Sequence, residues 1–185
     1  MINLTKRYLR KIQVNSILQT EPIKKMPEHL IYFNRKNNNY TMFSTNTGEI
    51  LGKMSARPEY IYGNKIYYPE LAGYSSLYIT SLKAEKRKQG IGREFINFAR
   101  LESIRRGCEG RVHLIADNVT KEPDNLPYVA YRKMGLDSQQ KWAITSIDRY
   151  IKTGETLPLL IKRGLAMFLP VKNYCAKYNK FCKKA

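Results

Sequence analysis

The fold turns on residues 77–92, which read Leu77-Tyr78-Ile79-Thr80-Ser81-Leu82-Lys83-Ala84-Glu85-Lys86-Arg87-Lys88-Gln89-Gly90-Ile91-Gly92. Leu77 to Leu82 is β-branched and aromatic and predicts a strand. From Ile91 to Arg106 the apolar residues Ile91, Phe95, Phe98 and Leu101 recur at helical spacing. Arg105 and Arg106 suit the last turn of that helix and Gly107 suits its C′ position. Between strand and helix lie two glycines. The first amides of a helix have no partner within it, and the helix dipole makes that end positive. A glycine turn lets an anion approach those amides closely and permits positive φ at Gly90 and Gly92. Arg87 and Lys88 add charge beside the same place. The segment is not a Walker A loop, because the Gly-Lys-Ser/Thr ending is absent. It is not a dinucleotide loop either, because a single Gly-x-Gly occurs, in mid-chain. On these residues alone it is an anion-binding strand-to-helix turn.

Working outward, residues 4–19 carry Leu4, Tyr8, Ile12 and Ile17/Leu18 at near-helical spacing, and Pro22 and Pro27 end that pattern. Tyr40 to Thr45 and Ile50 to Ser55 alternate on either side of Asn46-Thr47-Gly48, which predicts a hairpin. Residues 60–74 are rich in Tyr and Gly and read as a strand end with loops. Val112 to Ala116 predicts a short strand, and Pro127 at N1 with Gly135 beyond the end bounds a second helix. Lys141 to Ile147 and Gly164 to Leu169 both read as strands. The order predicts an α/β (α+β) fold: one domain over residues 1–185, a mixed and mostly antiparallel central sheet, and helices on both faces.

The bulk numbers bound the class. The chain has 185 residues, 43 % of them hydrophobic, which suits one ordinary core. Its formal net charge is +18, from 33 basic and 15 acidic residues. The excess lies in 1–38, 77–136 and 137–185, while 39–76 is balanced. Such a surface attracts polyanions, so an acidic or RNA partner is one expectation and a merely solvated surface the other. The three cysteines, Cys108, Cys175 and Cys182, form no CxxC and lie near no His. That argues against a disulfide framework and a metal site, and for reduced, cytoplasmic thiols. No apolar run follows the basic N-terminus. Leu157 to Val171 is interrupted by Lys162-Arg163-Gly164 and Pro170, so no transmembrane segment is expected.

The run from Tyr78 to Gly92 resembles the acetyl-CoA motif of the GNAT superfamily of N-acetyltransferases, whose pattern is Gln/Arg-x-x-Gly-x-Gly/Ala. Tyr131-Arg132-Lys133-Met134-Gly135-Leu136, some forty residues on, is similar to the family's second motif, Tyr-x-x-x-Gly-Phe. The match covers residues 77–136. The resemblance implies acetyl-CoA as co-substrate, with the backbone of Leu82, Lys83 and Ala84 pairing with the pantetheine arm. It implies that Arg87, Lys88, Gln89, Gly90, Ile91, Gly92 and Arg93 hold the pyrophosphate. The strands holding Leu82 and Ala116 would splay to admit the thioester, with Asn118 near the pantetheine, and Tyr131 would be the general acid. The chain departs from the pattern at Asp124, where the family often has Asn, and at Leu136 in place of Phe.

Acetyl transfer needs a deprotonated amine, a stabilised oxyanion and a protonated leaving thiolate. No carboxylate lies on Leu77–Leu82. Glu59, Glu70 and Asp117 are candidates for the base, and each also reads as a solvated acid. His113, on an expected strand, reads as structural. The acceptor is a small-molecule or protein amine, and a homodimer stands among the arrangements open to the chain. Two other readings remain: a toxin-like enzyme acetylating aminoacyl-tRNA, and a non-catalytic basic nucleic-acid-binding module. For the last, the tail over 172–185 with Tyr174, Tyr178 and Phe181 among its lysines is the feature to weigh, while Tyr60, Tyr62, Tyr67, Tyr68, Tyr74 and Tyr78 read as lining an acceptor groove, as stacking on bases, or as ordinary strand residues.

Overall fold

A computed structural model describes residues 24–25, 29–34, 37–62, 71–86, 89–117, 126–157 and 164–170. The helix expected over 4–19, the basic tail, and the site residues Arg87, Lys88, Asn118 and Glu70 lie outside them. The described elements are strands β1 (Lys24–Lys25), β2 (His29–Asn34), β3 (Asn39–Ser44), β4 (Ile50–Tyr60) and β5 (Ser75–Ala84), then helix α1 (Ile91–Arg105), β6 (Val112–Ala116), α2 (Pro127–Lys133), α3 (Lys141–Thr153) and β7 (Leu165–Phe168). They fall into two units, residues 1–56 with 81–92 and residues 57–80 with 93–185.

In the first unit β1 to β4 form an antiparallel ladder in chain order. The expected hairpin is present. Gly48, at φ +66°, returns its N–H to the Ser44 carbonyl at 2.9 Å, and β3 pairs with β4 from Asn39↔Ser55 to Phe43↔Ile50. Glycine is needed here because an L-side chain resists that φ. Ile31, Tyr40, Met42 and Met54 are fully buried. Tyr32 packs edge-on to Phe43 at 5.4 Å. The Glu85 N–H donates to the Leu51 carbonyl at 2.9 Å, laying the far end of β5 beside the start of β4. Strand β2 has no sequence expectation behind it. Its run Leu30-Ile31-Tyr32-Phe33 is continuously apolar and lacks the alternation that marks a half-buried strand.

In the second unit the Ile61 N–H donates to Tyr74 O at 3.0 Å, and Gly73 donates back to Ile61 O at 2.8 Å. Strand β5 then pairs in parallel with β6 from Leu77↔Val112 to Ile79↔Leu114, and β6 pairs antiparallel with β7 from His113↔Phe168 to Ala116↔Leu165. A parallel pair requires a crossover, and α1 supplies it. Helix α1 buries Phe95, Ile96, Phe98 and Ala99. It ends one residue earlier than its stripe suggests, and Gly107 at φ +74° turns the chain away. Glu102, 2 % exposed, is held by Arg105 at 2.7 and 2.6 Å and by Arg106 at 2.6 Å. A buried carboxylate needs such partners, because an uncompensated charge there is costly.

One element differs from the sequence reading. Residues 141–147 are not a strand but the first half of α3. The stretch holds Trp142, Ile144, Thr145 and Ile147, all strand-favouring types. Yet its buried positions are Ala143, Ile144 and Ile147, spaced one and four apart, which is the period of a helix face. A half-buried strand would hide every second residue. Gly154, at φ +78°, closes the helix with its N–H on Tyr150 O. Arg132 of α2 ties to Asp148 of α3 through two hydrogen bonds of 2.7 Å.

Candidate active site

On the last turn of β5, Leu82 and Ala84 are half-buried and Lys83 is exposed, as strand alternation requires. Lys83 lies 3.6 Å from Glu85, and Lys86 lies 3.8 Å from Glu49. Gln89 and Gly90 are exposed, and Ile91 is buried, fixing the start of α1 in the core. Gly90 has φ +77°, and a Cβ built there meets no heavy atom within 4 Å. Its glycine is therefore required by backbone conformation rather than by crowding. Gly92 differs from expectation. It is helical, so of the pair only Gly90 needs the left-handed region. The exposed Arg93, one turn into α1, donates from Nη2 to the Lys133 carbonyl at the end of α2, at 3.4 Å.

In the second unit the parallel β5–β6 pairing ends at Ile79↔Leu114, and β6 runs on to Ala116. Ile115, past the last paired position, is 56 % exposed. Asp117 is exposed. Helix α2 opens with Pro127 at its first turn, where the missing N–H costs nothing, and buries Tyr128 and Val129. Tyr131 is half-buried on the same helix, and its carbonyl accepts from Met134 and Leu136 in the closing turn, with Gly135 at φ +93°. Burial pushes the Tyr131 phenol up to about 12, so it keeps its proton at any ordinary pH.

The structure also assembles a group that no linear motif announces. His113 on β6 is 2 % exposed. Its Nδ1 lies 2.9 Å from the Oγ of Ser76, itself fully buried on β5. The imidazole stacks on Tyr78 with centroids 4.8 Å apart and planes 11° from parallel. Glu59, near the end of β4 and 25 % exposed at its side chain, places Oε2 3.9 Å from His113 Nε2. The sequence presents these residues separately. Their only shared signal is that Ser76 and Tyr78 stand two apart on a strand, so a parallel neighbour meets both on one face. Of the clustered tyrosines, Tyr60, Tyr62 and Tyr74 are 48, 63 and 52 % exposed, with Tyr60 and Tyr62 rings 5.0 Å apart, and Tyr67 and Tyr68 lie outside the described residues.

Among the described residues no group of three His, Cys, Asp or Glu side chains is arranged to hold a metal ion, and no helix is long and apolar enough to cross a membrane. No family model matches the chain, and no curated protein matches it. Several solved structures are similar to it. Naa50 of Arabidopsis thaliana, in complex with the bisubstrate analogue CoA-Ac-MVNAL, is 15 % identical, with 89 % of this chain and 93 % of that chain covered and a TM-score of 0.42. Naa20 of Chaetomium thermophilum, with a bisubstrate analogue, is 15 % identical over 80 % of this chain and 68 % of that one, at a TM-score of 0.44. A structure described as a bacterial toxin is 12 % identical over 82 % of this chain and 72 % of that one, at 0.43.

Proposed function

We propose that the chain is an acetyl-CoA-dependent N-acetyltransferase, passing the acetyl group to a primary amine by direct attack in a ternary complex. The observation that carries this reading is Gly90 at φ +77°, between the end of β5 and the first turn of α1. Gly90 directly precedes a 15-residue helix, and the positive N-terminal end of such a helix, with its unpaired amides, is where a pyrophosphate binds. The sequence around it follows the acetyl-CoA motif from Tyr78 to Gly92. On this reading the amides of Gln89 to Arg93, with Arg87 and Lys88, take the pyrophosphate. The backbone of Leu82 to Ala84 pairs with the pantetheine, and Asn118 lies near it.

Tyr131 takes a narrower role than the family pattern gives it. A phenol raised to about 12 stands about 3.5 units above a reference thiol, so full transfer of its proton to a thiolate is uphill by about 5 kcal/mol. A hydrogen bond to the departing sulfur carries no such cost. Tyr131 is therefore the donor that stabilises the developing thiolate, and solvent completes the protonation.

The test is direct. Acetyl-CoA should raise the melting temperature, since a ligand bound only by the folded state adds about 2.7 kcal/mol at a hundred times its dissociation constant. An unmoved transition at millimolar acetyl-CoA overturns the reading. Release of free CoA thiol on adding pooled primary amines then reports transfer.

A further inference from the structure

The helix that carries Tyr131 is poorly held by its own residues. Helix α2 has seven residues, and isolated helices shorter than about 12–15 residues are marginal in water. Its N-cap position is Leu126, which offers no side-chain cap. Its placement therefore depends on what grips its other end. We infer that Arg93 is a positioning residue: its side chain holds the C-terminal end of α2 and so sets the Tyr131 hydroxyl for the transfer step. The inference rests on the acetyl-transfer reading and deepens it.

Three observations carry it. The first is an accounting of carbonyls. The last carbonyls of a helix have no partners within it and must find donors elsewhere. In α2 the Ala130 carbonyl accepts from the Met134 N–H at 3.1 Å, and the Arg132 carbonyl from Gly135 at 2.9 Å. The Tyr131 carbonyl accepts from Met134 at 3.0 Å and Leu136 at 3.1 Å. In a continuing helix the Asp137 N–H would serve Lys133, but it donates to the Phe168 carbonyl at 2.8 Å. Among the described residues the Lys133 carbonyl thus has no backbone donor, and Arg93 Nη2 reaches it at 3.4 Å.

The second observation is where Arg93 stands. A cation in the first turn of a helix opposes that helix's dipole, whereas a cation at a C-terminus is favoured by it. Arg93 is the third residue of α1, at the unfavourable end, yet its guanidinium goes to the favourable end of α2. Its place is explained by what it does for α2 rather than for α1. Its backbone N–H, in the first turn, has no partner within the helix and stays available to the pyrophosphate.

The third is the company this bond keeps. Arg132, next to Tyr131, binds Asp148 of α3 through two bonds of 2.7 Å and donates to the Leu136 carbonyl at 3.3 Å. The closing turn of α2 is thus tied to α3 by one arginine and to α1 by another. Tyr131 lies in the turn that both ties fix. The Arg93 bond is exposed and long, so its loss should shift α2 without unfolding the chain.

The test uses the full chain. Arg93→Ala should lower turnover about three- to tenfold, the worth of one net hydrogen bond, while acetyl-CoA affinity by calorimetry stays within about twofold. Arg93→Lys, which keeps a donor, should recover part of the rate. In a Tyr131→Phe background Arg93→Ala should cost nothing further, because it acts through the hydroxyl already removed. Nuclear magnetic resonance of the chain labelled with ¹³C at the tyrosine Cζ, with Tyr131→Phe giving the assignment, reads the position directly. The Tyr131 resonance of the ligand-free chain should move in Arg93→Ala and return toward wild type in Arg93→Lys. A loss that falls on acetyl-CoA affinity with turnover kept gives the side chain to the phosphate and overturns the inference. Equal rate losses with and without the Tyr131 hydroxyl overturn it too. Stabilisation by acetyl-CoA with an unmoved Tyr131 resonance overturns the inference alone, whereas no stabilisation overturns the transfer reading and this inference with it.

Discussion

Gly90→Ala separates a ligand loop from a mere turn. At φ +77° an L-residue carries a strain of about 1–2 kcal/mol, part of which is offset because alanine restricts the unfolded chain more than glycine does. The space around the site is open, so no steric term adds to this. A net loss of about 1 kcal/mol lowers the melting temperature of a chain this size by roughly 2–4 °C. Gly154 supplies the matched control. It sits at φ +78°, a Cβ there also meets nothing within 4 Å, and it caps α3 rather than opening α1. Gly154→Ala should therefore melt about as early as Gly90→Ala. Only the Gly90 variant should bind acetyl-CoA more weakly. Strain that stays in the free protein lowers the melting temperature, and the part that the exposed loop sheds by leaving the left-handed region must be restored on binding, up to about 1 kcal/mol. A penalty of about 1 kcal/mol corresponds to roughly fivefold in dissociation constant. Thermal melts give the first quantity and titration calorimetry the second. Equal acetyl-CoA affinities in the two variants, at equal loss of stability, would refute the assignment of this turn to the pyrophosphate. Gly90→Asn should fall between wild type and alanine, because asparagine tolerates αL better.

Other expectations follow from the same geometry. Tyr131→Phe should lower turnover about ten- to a thousandfold with acetyl-CoA affinity nearly unchanged, as measured by thiol release and calorimetry; an unaltered rate removes the phenol from the reaction. Because the Tyr131 phenol is raised from 10 to about 12 in the folded chain, its contribution is full below pH 10 and is lost as pH climbs toward 12. Denaturant melts should show about 2–3 kcal/mol of extra alkaline destabilisation in wild type that Tyr131→Phe lacks. Asp148→Asn removes the carboxylate that Arg132 holds, by hydrogen bonding, below the usual range. That side chain is 48 % exposed, so the cost should stay within about 1 kcal/mol at neutral pH and shrink as pH falls through the carboxyl's own titration.

What could be read from the linear chain was what periodicity encodes. The hairpin at Asn46-Thr47-Gly48, the β5–loop–α1 segment and the Pro127–Gly135 bounds of α2 all rest on spacings of two or 3.6 residues with turn residues between them. The failures have the same root. Residues 141–147 combine strand-favouring side chains with a helical burial period, and the packing of α3 on α2 through Arg132 and Asp148 overrides the local preference. Strand β2 is hidden because a continuously apolar run has no period to read. Gly92 carries the same letter as Gly90 but lies within the helix, and only the backbone angle tells the two apart.

The candidate site divides along the same line. Its proposed donor half is made of backbone, a strand end, a left-handed glycine and the first turn of a helix, and a backbone site must be written as consecutive residues. It is therefore visible as a motif. The group of Glu59, Ser76 and His113 instead draws on three strands, β4, β5 and β6. Each residue alone is unremarkable: an acid near a strand end, a small polar residue in a strand, a rare histidine. Their contact exists only through a parallel pairing that sets His113 opposite Tyr78 and within reach of Ser76. Parallel neighbours are joined by long crossovers, so the partners stand 37 residues apart in sequence and share no spacing rule. The same division predicts where variation is tolerated. Substitutions at Gly90 should act on acetyl-CoA affinity through backbone angle, whereas substitutions at Arg87 or Lys88 should act through charge and weaken with salt.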